Sequence, residues 1–281
     1  HVRLQKRREW ADAENAEDIP DTVFQRCYKM PVETGAFPDA GQVILFRETT
    51  VMLEGTHTWT LRRRSVIRIL NERGESASIH RVLYRSDAES VSIAHGIAVR
   101  QDGTVLHLRD SAIQDESIHA DQPRYAGYRR RRFAVPEGKP GILVDVEIAL
   151  KRTRKLPLEP FFTEHMLGDT EPVLEDRFTV VAPQGVTLGW EIRNDDRGEV
   201  HFESRQLEGG ARRLAWTRKN SPQLPREAMM PPWSDIIPRL VVGVVEDNWE
   251  DVARQAADAF SAAAPTDDEI PVVDGESVVE V

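Results

Sequence analysis

Cys27 is the only thiol among 281 residues. A cysteine nucleophile needs a neighbouring base and surroundings that lower the thiol pKa. No local motif around Cys27 supplies either, so its expected role is packing. No histidine pair has the spacing of a helical zinc motif such as H-E-x-x-H. Glu164, His165 and Asp169 fall close together in a polar stretch and could touch a metal, but a metal site needs three or four converging ligands. No G-x-S-x-G is present, so no serine nucleophile elbow is expected. No G-x-x-x-x-G-K-[ST] or G-x-G-x-x-G is present either, and no nucleotide cofactor is expected.

Two other stretches suit binding better than catalysis. "RYAGYRRRRFAVP" holds four consecutive arginines after two tyrosines, Tyr125 and Tyr128. Strand alternation puts Arg129 and Arg131 on one face and Arg130 and Arg132 on the other, so the run makes no single four-arginine surface. It reads either as a site for an acidic partner or as an edge strand whose charges prevent aggregation. "MMPPWSDIIPRLVVG" is stiffened by Pro231, Pro232 and Pro238 and carries Trp233. It reads either as a terminal strand or as a segment that fixes the exit route of the chain.

The elements that would position these residues are mostly strands. "THTWTLRRRSVIRILNERG" alternates, with Trp59, Leu61, Ile67 and Ile69 on one face and Arg62, Arg64 and Arg68 on the other. In "GILVDVEIALKR", Ile142, Val144, Val146, Ile148 and Leu150 share a face opposite Asp145 and Glu147. Asp102-Gly103 between two apolar runs is a hairpin signal. Further strands are predicted over 173–182, 186–194, 199–206 and 211–219. Strands at this density, with few helical patterns between them, predict an all-β chain, an antiparallel β-sandwich that is large or two-lobed.

Residues 1–36 read as an irregular lead-in interrupted by Pro20, which packs Trp10 and Phe24. The sandwich is expected over 37–246, with a crossover near 151–172 where alternation is lost. An exit helix is expected over 247–264, capped by Asp247 with Glu250 three residues on. Trp249, Val252, Ala253, Ala256 and Phe260 would form its apolar face. Residues 265–281 contain six Asp or Glu and no Lys or Arg, and read as an acidic linker. The chain starts at His1, and with the linker at the other end this suggests a piece of a longer protein. A net charge of −10 disfavours generic nucleic-acid binding, and no apolar run approaches membrane-helix length.

Five stretches in order resemble the DUF3857 family. They are "AFPDAGQVILFRETTVMLEG", "HTWTLRRRSVIRILNERG", "AVRQDGTV", "VPEGKPGILVDVEI" and "PREAMMPPWSDIIPRLVVGVVEDNWEDVAR". The resemblance implies a β-rich domain that precedes a transglutaminase-like core with a Cys-His-Asp triad. That core would lie beyond residue 281, and no catalytic residue carries over to this sequence. The implied role is non-catalytic: support of, or substrate presentation to, a catalytic domain of the same parent protein. The implied setting is bacterial and extracytoplasmic. The alternative is an independent peptide- or carbohydrate-binding module, with Tyr125, Tyr128, Arg129, Arg131, Trp216 and Trp233 as exposed contacts.

Overall fold

The computed structural model of the chain describes residues 13–32, 36–119, 121–122, 126–156, 159–224, 227–245, 250, 253–254 and 256–258. Fourteen strands carry these residues: β1 (Gln42–Leu53), β2 (Trp59–Ile69), β3 (Ile79–Arg85), β4 (Glu89–Val99), β5 (Val105–His107), β6 (Ile113–Ser117), β7 (Tyr128–Ala134), β8 (Leu143–Arg152), β9 (Phe162–Met166), β10 (Val173–Ala182), β11 (Leu188–Arg193), β12 (His201–Gln206), β13 (Arg212–Ser221) and β14 (Arg239–Val244). Eight form one large sheet in the order β12-β13-β10-β1-β2-β8-β4-β5. Two three-stranded sheets accompany it, β11-β14-β9 and β3-β7-β6. The fold is mostly β, as the strand density predicts.

One strand pair departs from the expected antiparallel arrangement. β1 and β10 run parallel at the centre of the large sheet, with Arg47 beside Asp176 and Val51 beside Val180. Parallel neighbours need a crossover rather than a tight turn. Here the whole intervening chain makes the connection: it adds β2, β4, β5 and β8 to the large sheet and visits both small sheets before returning as β10. The stretch 151–172 is not strand-free: it contributes β9 to the β11-β14-β9 sheet.

The lead-in holds more order than expected. Helix α1 (Thr22–Lys29) starts after Pro20, not across it, and Asp21 caps it by accepting from Phe24 N–H at 2.7 Å. Proline before a cap leaves the helix intact, because the backbone there is already extended. Phe24 is fully buried, whereas Trp10 lies outside the described residues. Residues 250, 253–254 and 256–258 are helical. Asp247, Trp249, Val252 and Phe260 of the expected exit helix lie outside the described residues.

Alternation assigns the two faces of the large sheet. On one, Phe24 and Cys27 of α1 pack with Val43, Leu45, Phe46, Val66, Val99 and Leu143. A bulge between Ile44 and Phe46 turns both Leu45 and Phe46 toward the helix. The opposite face meets both small sheets. Phe133 and Val135 cover Ile44, Ile67, Val144 and Val146 at one end. Leu240, Val242, Phe161 and Leu167 cover Val51, Phe178, Val180 and Trp216 at the other.

Candidate functional site

Between the two small sheets, a strip of the large sheet stays uncovered. Successive inward positions of β2 there are Leu61, Arg63, Ser65 and Ile67; Ile148 and Leu150 of β8 lie beside them, and Arg47 of β1 on the other side. Residues 79–83 of β3 form one wall and Asp169 closes the far end, giving an open groove of about 480 Å³. Clefts of roughly 300–1,000 Å³ are the usual size for ligands.

The two arginines of the floor differ. Arg47 is saturated: it gives hydrogen bonds to Asp176 (Nε, 3.2 Å), to Asp169 (Nη1, 2.9 Å) and to the Gly168 carbonyl (Nη2, 2.6 Å). Arg63 donates only to Thr49 Oγ1, at 3.5 Å, and no carboxylate bonds it among the described residues. Its side chain reaches solvent while protein surrounds it on the floor and walls. Desolvation by that surrounding protein, and then the charge of Arg47, push its pKa below the ordinary arginine value, against the pull of Asp176 and Asp169, while the side chain itself stays exposed. The groove therefore presents a guanidinium with no carboxylate in hydrogen-bond contact, held in the field of Asp169 and Asp176. Two buried polar atoms on its lining also lack partners, Gln42 Oε1 and His80 Nε2. Burial alone lowers the His80 pKa to about 4, so the ring is neutral near pH 7 and stacks on Phe133 at 5.1 Å.

Asp176 anchors the end of the groove. It is fully buried on β10 and accepts from Arg47, from Gly168 N–H at 2.9 Å and from His165 Nε2 at 3.3 Å. Burial pushes the carboxyl pKa up, but Arg47 and then His165 outweigh it and hold Asp176 well below the usual carboxylate range. A matching cluster lies on the other face beneath α1. Asp145 accepts from Arg64 Nε at 3.0 Å and Nη2 at 2.6 Å and bonds His95 Nε2 at 2.9 Å, and Arg64 also reaches the helix cap Asp21. There too burial is overcome, by Arg64 and then His95, and the Asp145 pKa is depressed. Both clusters tie strands together, and their hydrogen-bonding capacity is turned inward.

The trio weighed as metal ligands does not converge. Alternation along β9 sends His165 inward to Asp176 and Glu164 outward to Arg239 at 3.1 Å, while Asp169 bonds Arg47. No group of three potential ligands for a metal occurs among the described residues. Cys27 is fully buried on the inner face of α1, where burial raises its pKa to about 11 despite the charge of Arg26. That is the reverse of what a thiolate nucleophile needs.

The residues expected to form a binding surface are dispersed. Tyr125 lies outside the described residues. Tyr128 is exposed, with the Arg85 guanidinium 5.6 Å from its ring centre. Arg129 and Arg131 share a face and converge on Asp115, through Nε at 2.6 Å and 2.8 Å. Asp115 also accepts from Tyr84 O–H at 2.7 Å. Trp216, expected at the surface, is instead fully buried against Phe178, Phe202 and Trp190. Its strand β13 lies inside the large sheet, and its face is covered by the β11-β14-β9 sheet, with Trp190 of β11 against it. Trp233 is part-exposed at a short turn before β14, remote in sequence from the others.

The contrast of Arg62, Arg64 and Arg68 with the apolar face leaves Arg63 unassigned. Its signal is parity: Arg63 falls on the same face as Trp59, Leu61 and Ile67, a charge in an apolar row. A lone charge there marks a gap in the covering layer.

The family described as the domain of unknown function DUF3857 matches residues 55–225. A solved structure described as a putative protease from Parabacteroides distasonis ATCC 8503 shares the fold, with a TM-score of 0.66 at 15% identity. The alignment covers 82% of this chain and 48% of that one, so the chain spans about half the length of that protein. An M1 zinc metallopeptidase from Deinococcus radiodurans aligns with a TM-score of 0.36 at 11% identity, over 72% of this chain and 42% of its own. No curated protein matches the sequence.

Proposed function

We propose, from the premise that the chain belongs to the DUF3857 family, that it is a non-catalytic accessory domain of a larger transglutaminase-like or cysteine-protease-like enzyme. Its role is to support the catalytic domain of the parent protein or to present substrate to it. The observation that carries this reading is the partial coverage: the shared fold accounts for 48% of the putative protease and leaves the rest of that protein for another unit. The chemistry of the described residues supports the same reading. The single thiol is buried and its pKa is raised, and the two Asp-His contacts are locked into ion pairs with arginine. The transglutaminase-like character and an extracytoplasmic bacterial setting rest on the motif resemblance.

The test is an assay of the purified chain for hydrolysis of casein and for incorporation of a fluorescent amine. Neither activity is expected. Turnover that survives Cys27→Ala would overturn the accessory reading.

A further inference from the structure

β3 is an edge strand, because β7 is its single neighbour in the order β3-β7-β6. Val135 N–H donates to Ser78 O, and Ser86 N–H donates to Gly127 O. In an antiparallel ladder this turns the even-numbered residues of β3 toward β7 and the odd-numbered ones outward. Of the outward N–H groups, Ile79 uses Ser76 O and Arg85 uses Glu89 Oε2. Arg81 and Leu83 present free N–H and C=O groups, with no hydrogen-bond partner among the described residues. Consecutive residues 79–83 line the groove, which a strand achieves along its edge and not with one face. The wall of the groove is thus an unpaired strand edge, and Leu83 above it is 64% exposed. Exposed apolar edges are what folded proteins normally protect.

We propose that the groove binds an extended acidic peptide, which adds to the edge of β3 as a fourth strand and sets a carboxylate on Arg63. Strand addition supplies main-chain partners for Arg81 and Leu83. Alternate side chains of the added strand then point down onto the floor. There they meet Leu61, Ile148 and Leu150, and between them Arg63, the floor guanidinium that bonds no carboxylate, while Arg81 of the wall adds a second positive charge. Charge complementarity selects the acidic peptide: a neutral glycan or neutral peptide would cover Arg63 without giving its guanidinium a direct anionic partner, whereas a carboxylate forms a charge-assisted pair. The inference rests on the accessory reading where it names this peptide as the segment presented for catalysis; binding itself needs no catalytic domain.

The test uses the full chain and fluorescein-labelled octapeptides of alternating Val and Thr, in which one Glu is moved position by position. Fluorescence anisotropy is expected to find binding in a subset of registers. Replacing that Glu by Gln, or Arg63 by Ala, should weaken binding about tenfold, the scale of one charge-assisted hydrogen bond. Arg63→Lys should recover part of the loss. Leu83→Pro, which removes an outward N–H at an edge where proline is tolerated, should weaken binding with the melting temperature unchanged. Peptides N-methylated along one edge should not bind. No binding of any register at about 1 mM, or binding indifferent to the Glu and Arg63 changes, overturns the proposal. Competition by neutral oligosaccharides as strong as by the peptide also overturns it. Such a failure leaves the casein and amine assays as the separate measure of the accessory role.

Discussion

Arg47 and Asp176 sit side by side on the parallel pair β1 and β10, and the guanidinium meets a carboxylate with no exposure to solvent. The pair also holds Gly168 N–H and His165, so one carboxylate joins the large sheet to the turn that follows β9. Removing only the cation would leave a buried charge unmatched, which typically costs about 3–5 kcal/mol. Arg47→Leu should lower the unfolding free energy by about that amount in urea titration. The double variant Arg47→Leu with Asp176→Leu should recover much of the loss. A single variant as stable as the parent chain would show that the pair is not the tie described.

Acid should weaken both faces of the large sheet. Asp145 and Asp176 ordinarily titrate near pH 4, and in the fold both are held lower by their arginines. Groups with depressed pKa values stabilise the fold above their unfolded pKa, and that contribution is lost as pH falls through the folded value. Stability should therefore decline below about pH 4, and Asp145→Asn should make the decline shallower. Circular dichroism melts from pH 5 down to pH 2 check this; an identical profile in the variant would refute it.

A second pH effect should appear at milder acidity. His80 is kept neutral by burial, with a pKa near 4. The unfolded chain takes up a proton there at about pH 6.5. The contribution is full above that value and falls as pH drops from about 6.5 toward 4, by up to about 3 kcal/mol. His165, also lowered by burial, adds in the same direction. His80→Gln should flatten this part of the profile, and equal slopes for the two proteins would exclude His80 as its source.

The thiol should be inert until the chain unfolds. With a pKa of about 11, Cys27 is mostly protonated at pH 7, with a thiolate fraction on the order of 10⁻⁴. Native protein should react with iodoacetamide far more slowly than protein in guanidinium, and the native rate should follow the unfolding equilibrium. Fast labelling of the folded chain would contradict the packing beneath α1.

Local chemistry was enough to read much of the fold. The alternation of Ile142, Val144 and Val146 against Asp145 and Glu147 is the two-sided burial of β8, with a different covering layer on each side. Asp102-Gly103 makes the turn between β4 and β5, where Gly103 has a φ of 87°. A period of two tells which residues share a face, and a turn residue tells where the chain reverses; both are properties of a few neighbouring residues.

What covers a face is not local. β9 joins its sheet with five short, mixed residues, and its alternation was too weak to see. The parallel pairing of β1 with β10 depends on partners more than a hundred residues apart. Trp216 has the same type and strand position as a surface aromatic, and only the small sheet that carries Trp190, folding over β13, buries it. Arg63 has the same parity as its buried neighbours, and only the gap between two small sheets leaves it open to solvent. The sequence by itself determined the strands, their faces and the hairpin turn. Tertiary structure alone decided which faces are covered, because burial comes from distant segments meeting, and no local pattern records where they stop.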